Sequence, residues 1–274
     1  MKKVLLVFDG TRFSEGAFEF TRVINEGQPL LLTGVFLPQA DYANFFNYGD
    51  AMSAPFYIPV VDVNEEITKK NISRFKSLCQ KQGIECRVHE DYLDFALPEL
   101  KKETRFADLL IIGSESFYDY IGASESYEYL QDTLHSVECP VLIVPEKFEF
   151  PVNNILCYDG SESSVYAIKQ FAYLFPDMTK NPTILIYAKG NAEDTEIPDD
   201  LNIEELVARH FPNLTITRLD LKPGKIFREG LTEKEAAIVI CGSFGNSLLS
   251  RLFKKSFASG IISDHRLPLF IAHK

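Results

Sequence analysis

The stretch Val4-Leu-Leu-Val-Phe-Asp9-Gly10-Thr11 decides the fold, because the chain writes it again as Asn154-Ile-Leu-Cys-Tyr-Asp159-Gly160-Ser161. Two further blocks recur in the same order. Ala107-Asp-Leu-Leu-Ile-Ile-Gly113-Ser114 returns as Ala236-Ala-Ile-Val-Ile-Cys-Gly242-Ser243, and Cys139-Pro-Val-Leu-Ile-Val-Pro145 as Leu267-Pro-Leu-Phe-Ile-Ala-His273. The offsets are 150, 129 and 128, so the first copy is longer by 21 residues between its first two blocks. A doubled unit of about 130–150 residues, a usual domain size, accounts for this order.

Each block is a short apolar run rich in Val, Ile and Leu, the pattern of a strand buried on both faces. Between the blocks the apolar spacing predicts helices over 14–25, 64–82 and 97–104 in the first copy. In the second it predicts them over 163–175, 202–211 and 247–263. Further strands are expected at 30–35, 85–90, 183–187 and 215–221. Strands alternating with helices imply right-handed crossovers and an α/β fold, a parallel sheet with helices on both faces. The expected domains are 1–147 and 154–274, joined by a linker over Glu146–Asn153. The extra length of the first copy falls at Pro38–Pro59, with Phe45, Phe46, Tyr48, Phe56 and Tyr57. It reads either as a lid or partner-binding surface or as a loop packed on its own domain.

Composition bounds the function. Of 274 residues, 46% are hydrophobic and 24% charged, as in ordinary soluble domains. No apolar run is long enough to span a bilayer, and Asp9 interrupts the N-terminal one before it reads as a secretory signal. A cytoplasmic protein is expected. The net charge of −11 argues against a general nucleic-acid binder. The five cysteines form no CxxC pair and no zinc-ligand spacing. Cys139, Cys157 and Cys241 lie in or beside apolar runs and read as buried reduced thiols.

Ligands of an open parallel sheet bind beyond the carboxyl ends of its strands, where the strand order reverses. The repeated blocks put Asp9-Gly10, Asp159-Gly160, Gly113-Ser114 and Gly242-Ser243 at those ends. The second copy continues Gly242-Ser-Phe-Gly245-Asn246 and reaches Lys254-Lys255-Ser256, a spacing suited to backbone amides that cradle a phosphate. Charge separates the copies. Residues 113–146 hold seven acids and no Lys or Arg, whereas 242–274 hold five basic residues and one acid. At an effective dielectric near 20, a like charge at about 4 Å costs a phosphate roughly 4 kcal/mol, so a phosphate is expected only in the second copy.

With Asp159-Gly-Ser-x-x-Ser and Gly242-Ser-Phe-Gly245 in place, the chain resembles the universal stress protein family over nearly its whole length, as a tandem two-domain member. The resemblance implies two Rossmann-like domains of the adenine nucleotide alpha hydrolase-like type, each an open five-stranded parallel sheet. It implies a stress-response or regulatory protein binding ATP or AMP, with Mg2+ if ATP. Asp159 would contact the adenine-ribose end, Tyr158 and Ala188 would flank the base, and Gly242, Gly245, Lys255 and Ser256 would lie along the phosphates. Lys255 replaces the third glycine of the family's Gly-x2-Gly-x9-Gly-Ser/Thr loop, while Ser256 keeps the hydroxyl. In the first copy Ser116 replaces the second glycine, so that loop is expected to be degenerate. Tandem members imply an internal pseudo-dimer through edge strands at 140–145 and 268–273, with a homodimer as a further arrangement. The alternative is a nucleotide-free scaffold presenting its surfaces to protein partners. No enzyme is indicated, slow ATP hydrolysis being a minor option for which no general base can be named: the five histidines have no nucleophile or metal spacing. The motifs of P-loop proteins and α/β-hydrolases are absent. Val7 stands where a phosphatase of the haloacid dehalogenase type would need a second aspartate.

Overall fold

A computed structural model describes residues 1–9, 12–37, 65–89, 96–114, 137–187, 197–218, 236–242 and 267–272. The chain divides into two compact units, Met1–Cys139 and Pro140–Lys274. In the first, β1 (Lys2–Asp9), α1 (Glu15–Gly27), β2 (Leu30–Leu37), α2 (Glu65–Gln82), β3 (Glu85–His89), α3 (Ala96–Thr104) and β4 (Leu109–Gly113) follow in turn. The second holds β5 (Val141–Val144), β6 (Asn153–Tyr158), α4 (Glu162–Leu174), β7 (Thr183–Tyr187) and α5 (Asp200–His210). It ends with β8 (Leu214–Arg218), β9 (Ala237–Gly242) and β10 (Leu269–Ala272). Each α-helix seen lies within two residues of its expected bounds. The helix expected over 247–263 and the aromatic insert at 38–59 lie outside the described residues.

Strand order in the first unit is β3-β2-β1-β4, every neighbour parallel. The second runs β5-β10-β9-β6-β7-β8, parallel except where β5 meets β10. This is the parallel α/β architecture that the repeated blocks imply. The strand β5, encoded by the first copy, pairs antiparallel with β10, its repeat equivalent. The register is symmetric about Leu142↔Phe270, and Ile143↔Leu269 and Val141↔Ile271 flank that pair. Pairing there covers an apolar edge that would otherwise offer free backbone groups to another chain.

The central strands are buried on both faces, β4, β5, β9 and β10 throughout. Helices supply the covering layers. In the first unit Phe8 of β1 stacks on Phe36 of β2 at 4.8 Å between centroids, and Phe75 of α2 meets both edge-on. In the second, Phe171 of α4 meets Phe270 of β10 edge-on at 5.4 Å. Such pairs add about 0.5–1.5 kcal/mol each beyond their burial. No helix among the described residues is long and apolar enough to cross a membrane.

Because Phe75 is fully buried and touches rings from both strands and from α1, Phe75→Ala should destabilise the first unit by about 3–5 kcal/mol. Urea unfolding followed by circular dichroism checks this.

Candidate functional site

In the second unit β7 and β8 lie to one side of β6, and β9 and β10 lie to the other. The strand order therefore reverses between β6 and β9, where crevices open in sheets of this kind. Tyr158 is the last residue of β6, Asp159 follows it, and Gly242 is the last residue of β9. The fold thus brings these three of the expected site residues to one edge. Ala188, Gly245, Lys255 and Ser256 lie outside the described residues.

The turn after β6 is set by its own polar groups. Asp159 Oδ1 accepts from the Ser161 backbone N–H at 2.9 Å and from Ser161 Oγ at 2.6 Å. Ser161 Oγ in turn accepts from the Ser164 N–H at 3.1 Å and caps α4. Asp159 Oδ2 has no hydrogen-bond partner among the described residues. Gly160 has φ +81°, and a Cβ there would lie 2.9 Å from Pro198 Cγ, so the position takes no side chain. Gly242 answers a different constraint. A Cβ on it would fall 2.5 Å from Ser163 C and Ser164 N, both backbone atoms of the first turn of α4. Glycine is what lets β9 end directly against that helix.

The helix caps also correct the alignment of the two copies. The sequence blocks set Thr11 opposite Ser161, but the cap of α1 is Ser14, whose Oγ accepts from the Ala17 N–H at 3.3 Å. Four residues separate Asp9 from its cap and one separates Asp159 from its own. The first copy thus carries three more residues here. Ser114, at the end of β4, is buried.

Tyr158 is buried, and its hydroxyl donates to the Pro198 carbonyl at 2.8 Å. Burial, then the charges of Asp199 and Asp159, push its pKa up, so it stays a protonated donor. Its ring borders a cavity of about 590 Å³ between α4 and α5, which sequence reading missed because the walls come from separate elements. Neither Asp159 nor Gly242 is among the described residues that line it. No three His, Cys, Asp or Glu side chains among the described residues gather into a group that could hold a metal.

No family model and no curated protein matches the chain. Solved structures do. A universal stress protein from Archaeoglobus fulgidus DSM 4304 superposes with a TM-score of 0.67 over 100% of this chain and 96% of its own, at 16% identity. The chain has the universal stress protein fold. The cytoplasmic domain of a prokaryotic cation chloride cotransporter also aligns, at 13% identity and a TM-score of 0.49, over 98% of this chain and 94% of that one.

Gly242→Ala should cost about 1–3 kcal/mol, since backbone on the far side has no rotamer with which to yield, and a lowered urea midpoint would register it. The thiols of Cys157 and Cys139 titrate with a definite sign. Burial, then Asp159, pushes Cys157 up to about 12, and burial, then Asp108, does the same for Cys139. Below pH about 9 the thiols keep their protons folded or unfolded. Between about 9 and 12 they ionise only in the unfolded chain, so this share of stability is lost as pH rises. The urea midpoint should fall from pH 8 to 10.5, and Cys157→Ala should shallow that fall.

Proposed function

We propose that the chain is a stress-response or regulatory protein that binds an adenine nucleotide, ATP or AMP, in its second repeat. The observation that carries this reading is the convergence of Asp159 and Gly242 at the carboxyl ends of adjacent parallel strands, where the strand order reverses. The local chemistry fits such a ligand. Asp159 Oδ1 is held by Ser161 and Oδ2 remains to accept from ribose hydroxyls. Gly242, at the end of β9, lies directly against the first turn of α4, and a helix N-terminus favours anions. Gly245, Lys255 and Ser256 would line the phosphates, Ala188 would touch the base, and Mg2+ would accompany ATP as its counter-charge. Tyr158 would contribute from β6, with its hydroxyl kept by Pro198. The reading gives the chain a binding role without catalysis, in the cytoplasm.

Calorimetric titration of the full chain with ATP, ADP and AMP tests it. Asp159→Asn keeps a side-chain oxygen to accept from Ser161 while removing the charge, and should weaken binding about tenfold. Gly245→Glu should abolish it by setting a carboxylate against phosphate. Lys255→Gly reports the lysine's role: weaker binding means the ammonium holds phosphate, tighter binding means the side chain obstructs it. Absence of heat at millimolar nucleotide would overturn the proposal in favour of a nucleotide-free scaffold for protein partners.

A further inference from the structure

Two of the five cysteines meet in the first unit, across the turn that joins α2 to β3. Cys79 lies in the last turn of α2, and Cys86 is the second residue of β3. The sheet register sets Cys86 beside Leu32 and Val88 beside Gly34 of β2, and partners in register share a face. That face is the one α2 covers, because a Cβ on Gly34 would lie 3.0 Å from the Phe75 ring. Cys79 follows Phe75 by four residues, one turn on along the same side of the helix, and is fully buried. The helix thus sets Cys79 down on the sheet face from which Cys86 rises.

The connection between them is short and hydrogen-bonded. The Ile84 N–H donates to the Cys79 carbonyl at 2.9 Å and the Gly83 N–H to the Gln80 carbonyl at 3.3 Å. Gly83 takes the left-handed φ of +65° with which helices commonly close. The two thiols also act on each other. Burial, then the Cys86 thiol, pushes the Cys79 thiol up, so Cys79 keeps its proton. Cys86 is half-buried, on an edge strand with β2 on one side only, and so meets solutes before Cys79 does. The second unit has no such pair: between Cys157 and Cys241 it contains no cysteine.

We infer that Cys79 and Cys86 form a reversible oxidation site, which reacts with hydroperoxides and closes as an intramolecular disulfide. Cys86 gives its proton to solvent, and its thiolate attacks the terminal peroxide oxygen. An S–O bond forms, the O–O bond breaks, and the departing oxygen takes a proton to leave as water or an alcohol. Cys86 is then a sulfenic acid. The Cys79 sulfur attacks the Cys86 sulfur, the S–S bond forms, the S–O bond breaks, and hydroxide leaves as water with the Cys79 proton. The pair of thiols gives two electrons to one peroxide, and a thiol reductant reverses the change. The bridge ties the end of α2 to the edge strand β3. It lies in the first repeat and makes no use of nucleotide binding.

Hydrogen peroxide, added in small excess to the fully reduced full chain, tests the assignment. Trypsin cuts after Lys81, between the two cysteines, so the bridge would join Ser77–Lys81 to Gln82–Arg87. Mass spectrometry without reduction should find that linked pair in the monomer. Thiol titration in denaturant should fall from five per chain to three and return to five with dithiothreitol. Cys79→Ala should lose the linked pair and leave on Cys86 a sulfenic acid that dimedone traps. Cys86→Ser should leave Cys79 reduced at the same dose. Far-UV circular dichroism reports folding, and the half-buried Cys86→Ser carries the test if Cys79→Ala is unfolded. No linked pair in the oxidised chain, a pair found only in covalent dimers, or the same loss of two thiols in Cys86→Ser would overturn the assignment.

Discussion

The parallel pairing of β6 with β9 is the constraint on which the second unit depends. Both strands are apolar, and β9 is buried along its whole length. That burial fixes their register, because a slip of one residue would turn every side chain to the opposite face. With the register fixed, Asp159 and Gly242 must emerge at the same edge. The absence of a side chain on Gly242 then seats α4 against the end of β9. The site is therefore a by-product of core packing: the strands that hold the unit together also deliver the polar groups to one place.

The two repeats show what one backbone plan does with different local spending. Between Asp9 and its helix cap the first copy uses four residues, and between Asp159 and its cap the second uses one. The longer connection carries Phe13, whose ring stacks on Phe8. The shorter one turns through a left-handed glycine, and Pro198 packs where a side chain would stand. The charge distribution separates the copies as well, with the acids of 113–146 in the first and the basic residues of 242–274 in the second.

Most of the fold was legible in the sequence because burial on both faces leaves an unmistakable apolar run. Val4–Phe8, Leu109–Ile112 and Ile238–Cys241 announce themselves, and their repetition gave the doubled architecture. The pairing of β5 with β10 was legible through the family resemblance, with Pro140 and Pro145 marking the ends of β5. At the site, Asp159 and Gly242 could be placed because they terminate such runs. The cap equivalence of Ser14 and Ser161 was hidden by the unequal connections, since block matching slides past three extra residues. The cavity was invisible for a related reason: Val165, Tyr166 and Ile203 sit on two helices and read as ordinary amphipathic positions until those helices are set side by side.

The placement of β5 has a consequence for biosynthesis. Its partner β10 begins 125 residues after β5 ends. At roughly 5–20 residues per second, the nascent chain carries an apolar strand for about 6–25 s before the matching edge has even been made. Val141–Val144 is therefore the segment most in need of protection on the ribosome, and slow synthesis would lengthen its exposure. Pairing with β10 thus ties this edge of β5 to a strand made 125 residues later.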